Sequence, residues 1–299
     1  MAGLLIFAGL FSVWSQCSSG DPTKEDDWRR AAQAAVELAE PTDGIRVTPS
    51  WSEAPLPHLG PVGNLLHRHH HPMLEDLLEI ERLLILSEVG RRDEAMDRLP
   101  FDASSVKSKS FGTVELLSVE VPPALRIHGD LISELNRAEV SYIGPDDEQD
   151  RCRYHRRQGY WQCDGSGQDG RVGPILLEVD HDPRRCIQAF PPSGDRHLQV
   201  EFDAPQLSDV LRIRAGLDNR AARLERGGDV IYRLYFDEQL VDQVTLNAHR
   251  STWNAHDIDT TGFDGGAAIR IEVESVAPEP HHRRFCFNGW PLTREQAEQ

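Results

Sequence analysis

The sequence predicts a mainly β protein: an antiparallel jelly-roll β-sandwich preceded by a helical, linker-rich N-terminal segment. Large apolar residues alternate with polar ones in several C-terminal segments, such as Leu198–Phe202 and Ile269–Val273. Because successive side chains of a strand point to opposite faces, each such segment has one apolar and one polar face. Strands of this kind are typical of antiparallel sheets, and Gly, Asp and Asn turns separate them here.

An apolar segment, Ala2–Trp14, precedes Cys17 and a polar stretch that begins SSGDPTKEDD. The segment is too short to span a bilayer but has the length of the apolar region of a secretory signal. An apolar run, small residues and one cysteine resemble a bacterial lipoprotein signal, in which the cysteine becomes the lipidated first residue. We expect residues 1–17 to be a signal segment with Cys17 lipidated. Simple secretion, a retained membrane anchor and a misread start are the alternatives.

Residues 18–71 are predicted to contain a helix and a linker. Thr23–Ala39 places Trp28 and several alanines on one helical face. Glu40–Gly63 is rich in Pro, Gly and Ser, which indicates a linker.

A histidine tract follows the linker and consists of His67, His69, His70 and His71. Imidazole groups bind zinc, copper or nickel, but a tract beside a linker lacks the partners that orient the rings. We expect adventitious metal binding there and predict no functional metal site.

Residues 72–99 are predicted to form one amphipathic helix with Pro72 in its first turn. Its apolar stripe consists of Leu74, Leu77, Leu78, Leu84, Ile85 and Val89. Such a helix could pack on the sandwich or serve as a spacer.

Residues 101–290 are predicted to form the sandwich, and residues 291–299 a polar tail. About eight or more strands are expected between Phe111 and Phe287. The earlier ones are Val114–Val121, Ile127–Leu131, Val140–Ile143 and Ile175–Val179.

Four cysteines lie in the predicted sandwich, and none of their spacings is typical of zinc ligands. After an export signal, four cysteines suggest two disulfides, for which three pairings exist. We favour Cys152–Cys163, which closes a short hairpin, and Cys186–Cys286, which would join the first and last strands of the sandwich.

The stretch Ser208–Val276 carries a resemblance to a known family. It contains AGLDN, then VIYRLYFDEQLVDQVTL, then HDIDTTGFDGGAAIRIEV. This order of strands resembles the novel putative carbohydrate-binding module of the galactose-binding-like jelly-roll class. The resemblance implies a jelly-roll fold and non-catalytic binding of carbohydrate or cell-wall glycan.

Four residues are the candidates for ligand binding. Trp253 lies in a polar loop, and Trp161 lies in GYWQC beside Cys163. Aromatic rings stack on the apolar faces of sugars while polar neighbours bind the hydroxyl groups. His181 and Arg184 belong to DHDPRRC, directly after a predicted strand. The alternatives are that Trp161 is a core residue and that His181 and Arg184 stabilise a turn.

Other functions receive less support from the residues. The net charge of −17 argues against nucleic-acid binding. No catalytic set is recognisable, so an enzyme is not favoured; a hydrolase or lyase would need two carboxylates converging in a groove. Asp257, Asp259 and Asp264, with Gly262, Gly265 and Gly266, could hold calcium, but turn formation explains them better. No cofactor is therefore predicted.

These observations together predict an envelope protein whose membrane contact is a lipid anchor, with secretion as the alternative location. Its expected partner is a glycan, and the alternative function is structural or assembly binding of another envelope protein.

Overall fold

The computed structural model describes residues 22–294 except 68, 70–71, 79, 104, 123–124, 128, 164–169, 193, 204, 206, 223–227, 264–266 and 277–282. The chain divides into two compact units, Met1–Pro123 and Ala124–Gln299. The predicted signal and Cys17 lie outside the described residues. In the part of the chain that is described, no helix is both long and apolar enough to cross a membrane.

The first unit is a four-stranded sheet with helices. Its elements are α1 (Pro22–Leu38), β1 (Asp43–Thr48), 3₁₀ turns at Leu56–His58, Gly60–Leu65 and Leu74–Asp76, β2 (Arg82–Glu88), α2 (Arg92–Asp97), β3 (Val106–Phe111) and β4 (Val114–Glu120). The strand order is β1-β2-β4-β3. β1 and β2 are parallel, whereas the other two pairs are antiparallel.

Helix α1 packs through the predicted tryptophan and alanine face. Trp28 is 1% exposed and lies in one apolar cluster with Ile45, Leu84 and Leu116. Asp27 of the same helix accepts hydrogen bonds from the backbone nitrogen of Thr113, at 2.7 Å, and from its hydroxyl, at 3.0 Å. The helix is therefore tied to the β3–β4 turn by polar contacts as well as by the apolar face.

The prediction of one helix over residues 72–99 is wrong. The segment contains a 3₁₀ turn, strand β2 and the short helix α2. Strand β2 carries buried apolar side chains on both faces, from Leu83 to Leu86. A continuous apolar run of this kind fits a covered central strand, and at this length it imitates a helical stripe.

Two further features of the first unit differ from the sequence-based expectation. The predicted linker contains β1, which pairs with β2 and is buried along its length, with Ile45 and Val47 in the apolar cluster of Trp28. Residues 106–120, assigned to the sandwich, instead form β3 and β4 of the first unit.

The second unit is an antiparallel β-sandwich, as predicted. Its elements are β5 (Leu125–Ile127), α3 (Leu131–Glu134), β6 (Glu139–Ile143), β7 (Gln149–Arg151), β8 (Arg153–His155), β9 (Tyr160–Gln162), β10 (Arg171–Val179), β11 (Asp182–Ala189), β12 (His197–Phe202), β13 (Val210–Leu217), α4 (Asn219–Ala222), β14 (Val230–Phe236), β15 (Gln239–Leu246), β16 (Asn254–Asp259), β17 (Ile269–Ser275) and β18 (Phe285–Arg294).

Two sheets make up the sandwich. One has eight strands in the order β16-β13-β18-β11-β10-β9-β8, with β5 beside β18; the other has six in the order β15-β14-β17-β12-β6-β7. The alternating side chains of β12, β14 and β17 meet those of β13 and β18 in one apolar core. The predicted strand Ile127–Leu131 is replaced by β5 and α3, because Asp130 caps a helix by accepting from the backbone nitrogen of Ser133.

Both predicted disulfides are present. Cys152 pairs with Cys163, and Cys186 pairs with Cys286. The second bridge joins neighbouring strands of one sheet, β11 and β18, so the expectation that it joins the first and last strands is wrong. It is fully buried beside Leu177 and Val179 of β10.

Candidate ligand-binding site

A tight turn between β10 and β11 places polar groups at one end of the sandwich. Its two residues, Asp180 and His181, have positive φ angles of 51° and 61°, a region that residues other than glycine seldom adopt. The backbone nitrogen of Asp180 donates to Asn219 Oδ1, at 2.7 Å, and to Ser251 Oγ, at 3.1 Å. Contacts from the first residue of α4 and from the loop before β16 therefore hold this turn.

An open cleft of about 560 Å³ lies beside this turn. Its apolar wall includes Leu176, which is 69% exposed. Its polar wall consists of Glu178, His181, Asp218, Asn219, Arg220 and Arg284. These residues come from β10, from the β10–β11 turn, from the end of β13 and its following helix, and from the residue before β18.

Several polar side chains of the cleft are bonded to one another. Glu178 Oε1 accepts from Asn219 Nδ2, at 3.1 Å, and lies 3.2 Å from His181 Nδ1. Arg284 Nη1 lies 3.4 Å from Asp218 Oδ2. These contacts restrict the side-chain orientations before any ligand arrives.

Arg184 and Trp253 support the turn from behind. Arg184 is 2% exposed and donates from Nε and Nη2 to Asp182 Oδ2, at 2.9 and 2.7 Å. Trp253 Nε1 donates to the backbone oxygen of Asp182, at 3.0 Å. Both residues therefore position the first residue of β11, next to His181.

The ring of Trp253 is fixed on the sheet face that carries the second disulfide. The Arg214 guanidinium lies 5.1 Å from the centre of the Trp253 ring and 4.8 Å from that of Trp290. Gly216 provides the space for this packing, since a Cβ there would lie 2.9 Å from Trp253 Cε3. Trp253 also packs against the cluster that contains Cys186 and Cys286.

Trp161 lies away from this cleft. Its Nε1 donates to the backbone oxygen of Leu135, at 2.9 Å, and its ring lines a separate cavity of about 190 Å³. The structure therefore brings together three of the four predicted residues, and only His181 of these three lines the cleft.

Sequence reasoning missed most of the cleft. Glu178, Arg220 and Arg284 carry no motif, because their proximity depends on strand pairing between distant segments. Asp218 and Asn219 end the AGLDN segment that carries the family resemblance, so these polar residues directly after a strand were the one available signal.

Two of the residues considered as calcium ligands make contacts within the protein. Asp257 is paired with Arg212 through two contacts of 2.6 Å. Asp259 accepts from the backbone nitrogen and hydroxyl of Thr261, at 3.0 and 2.8 Å, and the backbone bond is the main cause that lowers the pKa of Asp259. Asp264, Gly265 and Gly266 lie outside the described residues.

The histidine tract is described in part, since His70 and His71 lie outside the described residues. His69 Nε2 is 3.9 Å from Asp76 Oδ1. Burial is the main cause that lowers the pKa of His67. Within the described part of the chain, no group of three His, Cys, Asp or Glu side chains is arranged for a metal ion.

The fold and the cleft define the class: an antiparallel β-sandwich with a polar cleft at one end. No family model and no curated protein sequence matches the chain. Among solved structures, this chain is similar to the CBM51-2 and INT domains of Clostridium perfringens ZmpB, with CBM51-2 in complex with GlcNAc. That likeness has 12% identity and a TM-score of 0.33, and covers 58% of this chain and 42% of that one.

It is also similar to a CBM51 from Clostridium perfringens GH95 in complex with methyl-galactose. This likeness has 10% identity and a TM-score of 0.30, and covers 64% of this chain and 95% of that one. The chain thus resembles carbohydrate-binding modules weakly and spans less than half of the first of these structures. Likenesses this weak identify no ligand for this chain.

Proposed function

We propose that the second unit binds carbohydrate at the cleft beside the β10–β11 turn, without catalysis. The observation that supports this proposal is the composition of the cleft, which six polar residues and an exposed leucine line together. Its volume of about 560 Å³ lies within the range of roughly 300–1,000 Å³ that is typical of small-molecule sites.

The chemistry of the walls suits a sugar. Carboxylates such as Glu178 accept hydrogen bonds from hydroxyl groups, whereas Asn219 and Arg220 donate them. Leu176 offers an apolar surface to the C–H face of a pyranose ring. Because Glu178 and Arg284 are already held by neighbours, they lose little side-chain freedom on binding, which favours affinity.

Hydrolysis is the second candidate, because Glu178 and Asp218 both line the cleft. Glu178 is bonded to Asn219 and Asp218 is paired with Arg284, an arrangement that favours holding hydroxyl groups over transferring protons. Incubating the protein with each glycan that it binds and measuring new reducing ends separates the two functions. Reducing ends that appear with the native chain and not with Asp218→Asn would establish hydrolysis.

Binding is tested with the full chain on an array of immobilised glycans, followed by titration calorimetry with the best ligands. We expect Leu176→Ala and Arg220→Ala to weaken binding about three- to tenfold each. Leu240→Ala is the matched control, since Leu240 is 47% exposed on the edge strand β15. The proposal fails if no glycan is retained, or if the control weakens binding equally. Co-purification of a stoichiometric protein without glycan retention would favour protein binding instead.

The two disulfides indicate that this unit folds in an oxidising environment. We extend the proposal to an exported protein of the cell envelope that is anchored through Cys17. The apolar segment before Cys17 supports this extension. Mass spectrometry of the mature N-terminus tests it: a lipidated Cys17 is expected, and an unmodified Cys17 would contradict it.

A further inference from the structure

A second cavity lies where the two sheets approach each other at the β7 edge. It is lined by Glu139, Ser141, Gln149, Arg151 and Trp161, together with Val140 and Cys152. Six of the seven lining residues belong to β6, β7 and β9, and Cys152 directly follows β7. None of the seven lines the cleft beside the β10–β11 turn. This second cavity, called the edge cavity below, is therefore a separate feature of the second unit.

Trp161 provides a fixed aromatic wall. Its Nε1 donates to the backbone oxygen of Leu135, and the ring of Tyr154 packs on it at 5.1 Å with a tilt of 46°. The adjacent Cys152–Cys163 bridge joins the end of β7 to the end of β9. A ring restrained in this way offers an apolar face without losing side-chain freedom on binding.

The rest of the lining is polar and balanced in charge. Gln149 Nε2 donates to Ser141 Oγ, at 3.1 Å, which fixes an amide whose carbonyl oxygen can accept from a hydroxyl group. Arg151 Nη2 lies 3.7 Å from Glu139 Oε2, so the one cation and the one anion of this lining offset each other. An uncharged ligand with several hydroxyl groups fits such a lining better than an ion does.

From these features we infer that the edge cavity is a second carbohydrate site that takes one neutral pyranose ring, an inference that rests on the proposed carbohydrate binding. Its volume of about 190 Å³ is below the roughly 300–1,000 Å³ of drug-sized pockets, which limits the occupant to a single small ring. A chain with two such sites gains avidity for glycans that can engage both.

The test is a titration of the full chain with methyl galactoside, methyl glucoside and N-acetylglucosamine, with glucuronic acid as a charged probe. Gln149→Ala removes one polar group of the edge cavity, and Trp161→Ala removes its aromatic ring. Gln243→Ala is the matched control, because Gln149 and Gln243 are exposed glutamines on the two opposite edge strands of the six-stranded sheet. The double variant Leu176→Ala/Arg220→Ala, called the cleft variant below, disables sugar binding at the cleft.

We expect a neutral sugar to bind with two molecules per chain, and glucuronic acid to bind the edge cavity at least about tenfold more weakly. With the cleft disabled, the remaining binding should weaken about three- to tenfold in Gln149→Ala and stay unchanged in Gln243→Ala. If Trp161→Ala does not fold, Gln149→Ala still decides.

The outcomes separate the two sites. Binding that is abolished by the cleft variant and unaffected by Gln149→Ala would overturn the edge cavity and leave the proposed function intact. Binding of one sugar per chain that the cleft variant leaves unchanged, and that is lost on changing the edge cavity, would support the inference and overturn the cleft. Absence of sugar binding at either site would overturn both.

Discussion

The indole nitrogen of Trp253 donates a hydrogen bond to the backbone oxygen of Asp182, at 3.0 Å. This bond connects the loop before β16 to the first residue of β11, directly after His181 of the candidate cleft. The tryptophan that the sequence singled out for sugar stacking therefore acts from behind the cleft, as a residue that positions the turn.

Replacing Trp253 with phenylalanine keeps an aromatic ring but removes this bond. We expect Trp253→Phe to weaken glycan binding a few-fold and to lower the melting temperature slightly, because the Asp182 oxygen loses a donor. Trp253→Ala should be more severe, since packing on the disulfide is also lost. Trp51→Phe, at a tryptophan that is 72% exposed, is the control. Calorimetry measures both effects, and an unchanged affinity in Trp253→Ala would rule out the positioning role.

The buried pair of Arg184 and Asp182 should be strongly coupled. Their side chains are 1% and 8% exposed, so removal of Arg184 leaves a buried carboxylate without its guanidinium. We expect Arg184→Met to reduce the free energy of unfolding by about 3–5 kcal/mol. Arg184→Met/Asp182→Asn should recover part of that loss, because no buried charge is left. Chemical denaturation of the native chain, Arg184→Met, Asp182→Asn and the double variant gives the coupling, and additive single effects would show that the pair is not coupled.

The two disulfides should differ in their contribution to stability. Cys186 and Cys286 are 100 residues apart, whereas Cys152 and Cys163 are 11 apart. In the chain-entropy model, closing the longer loop stabilises the folded state by about 4–5 kcal/mol, and closing the shorter loop by about 3 kcal/mol. We therefore expect the Cys186→Ser/Cys286→Ser chain to unfold at lower denaturant concentration than Cys152→Ser/Cys163→Ser. The reverse order would contradict the prediction.

The first unit should lose stability in mildly acidic solution through His67. Burial is the main cause that lowers the pKa of His67 below its ordinary 6.5, and His69 and Arg46 lower it further while Asp76 opposes them. The unfolded chain therefore binds this proton more readily. The contribution of His67 to stability is complete above pH 6.5 and is lost as pH falls through the folded-state pKa.

Denaturation of the full chain at a series of pH values between about 7.5 and 5, the range in which histidine side chains titrate, checks this prediction. His67→Leu should flatten the pH dependence of the transition that reports the first unit. His58→Leu, at a histidine in a 3₁₀ turn of the same unit, is the control. An identical pH dependence in His67→Leu and the native chain would exclude His67 as the cause.

The alternating segments predicted the sandwich well, because a strand such as β14 has one face in the core and the other outside it. The same reasoning failed at β2, where Leu83 and Leu84 point to opposite faces and both are buried. Periodicity carries no signal for a strand that is covered on both sides. His181 was predictable as a polar residue after a strand, whereas Asp218 and Arg284 meet only after the chain has folded.

The most direct test of carbohydrate binding at the cleft is a nuclear magnetic resonance titration that follows the His181 ring, with its signal assigned by His181→Gln. A glycan that binds the chain should shift this signal in a saturable way, with the dissociation constant that calorimetry gives, and the shift should weaken in Arg220→Ala. Saturable glycan binding that leaves the His181 signal unmoved would contradict the cleft as the site, and no binding by any glycan on the array would contradict the function itself.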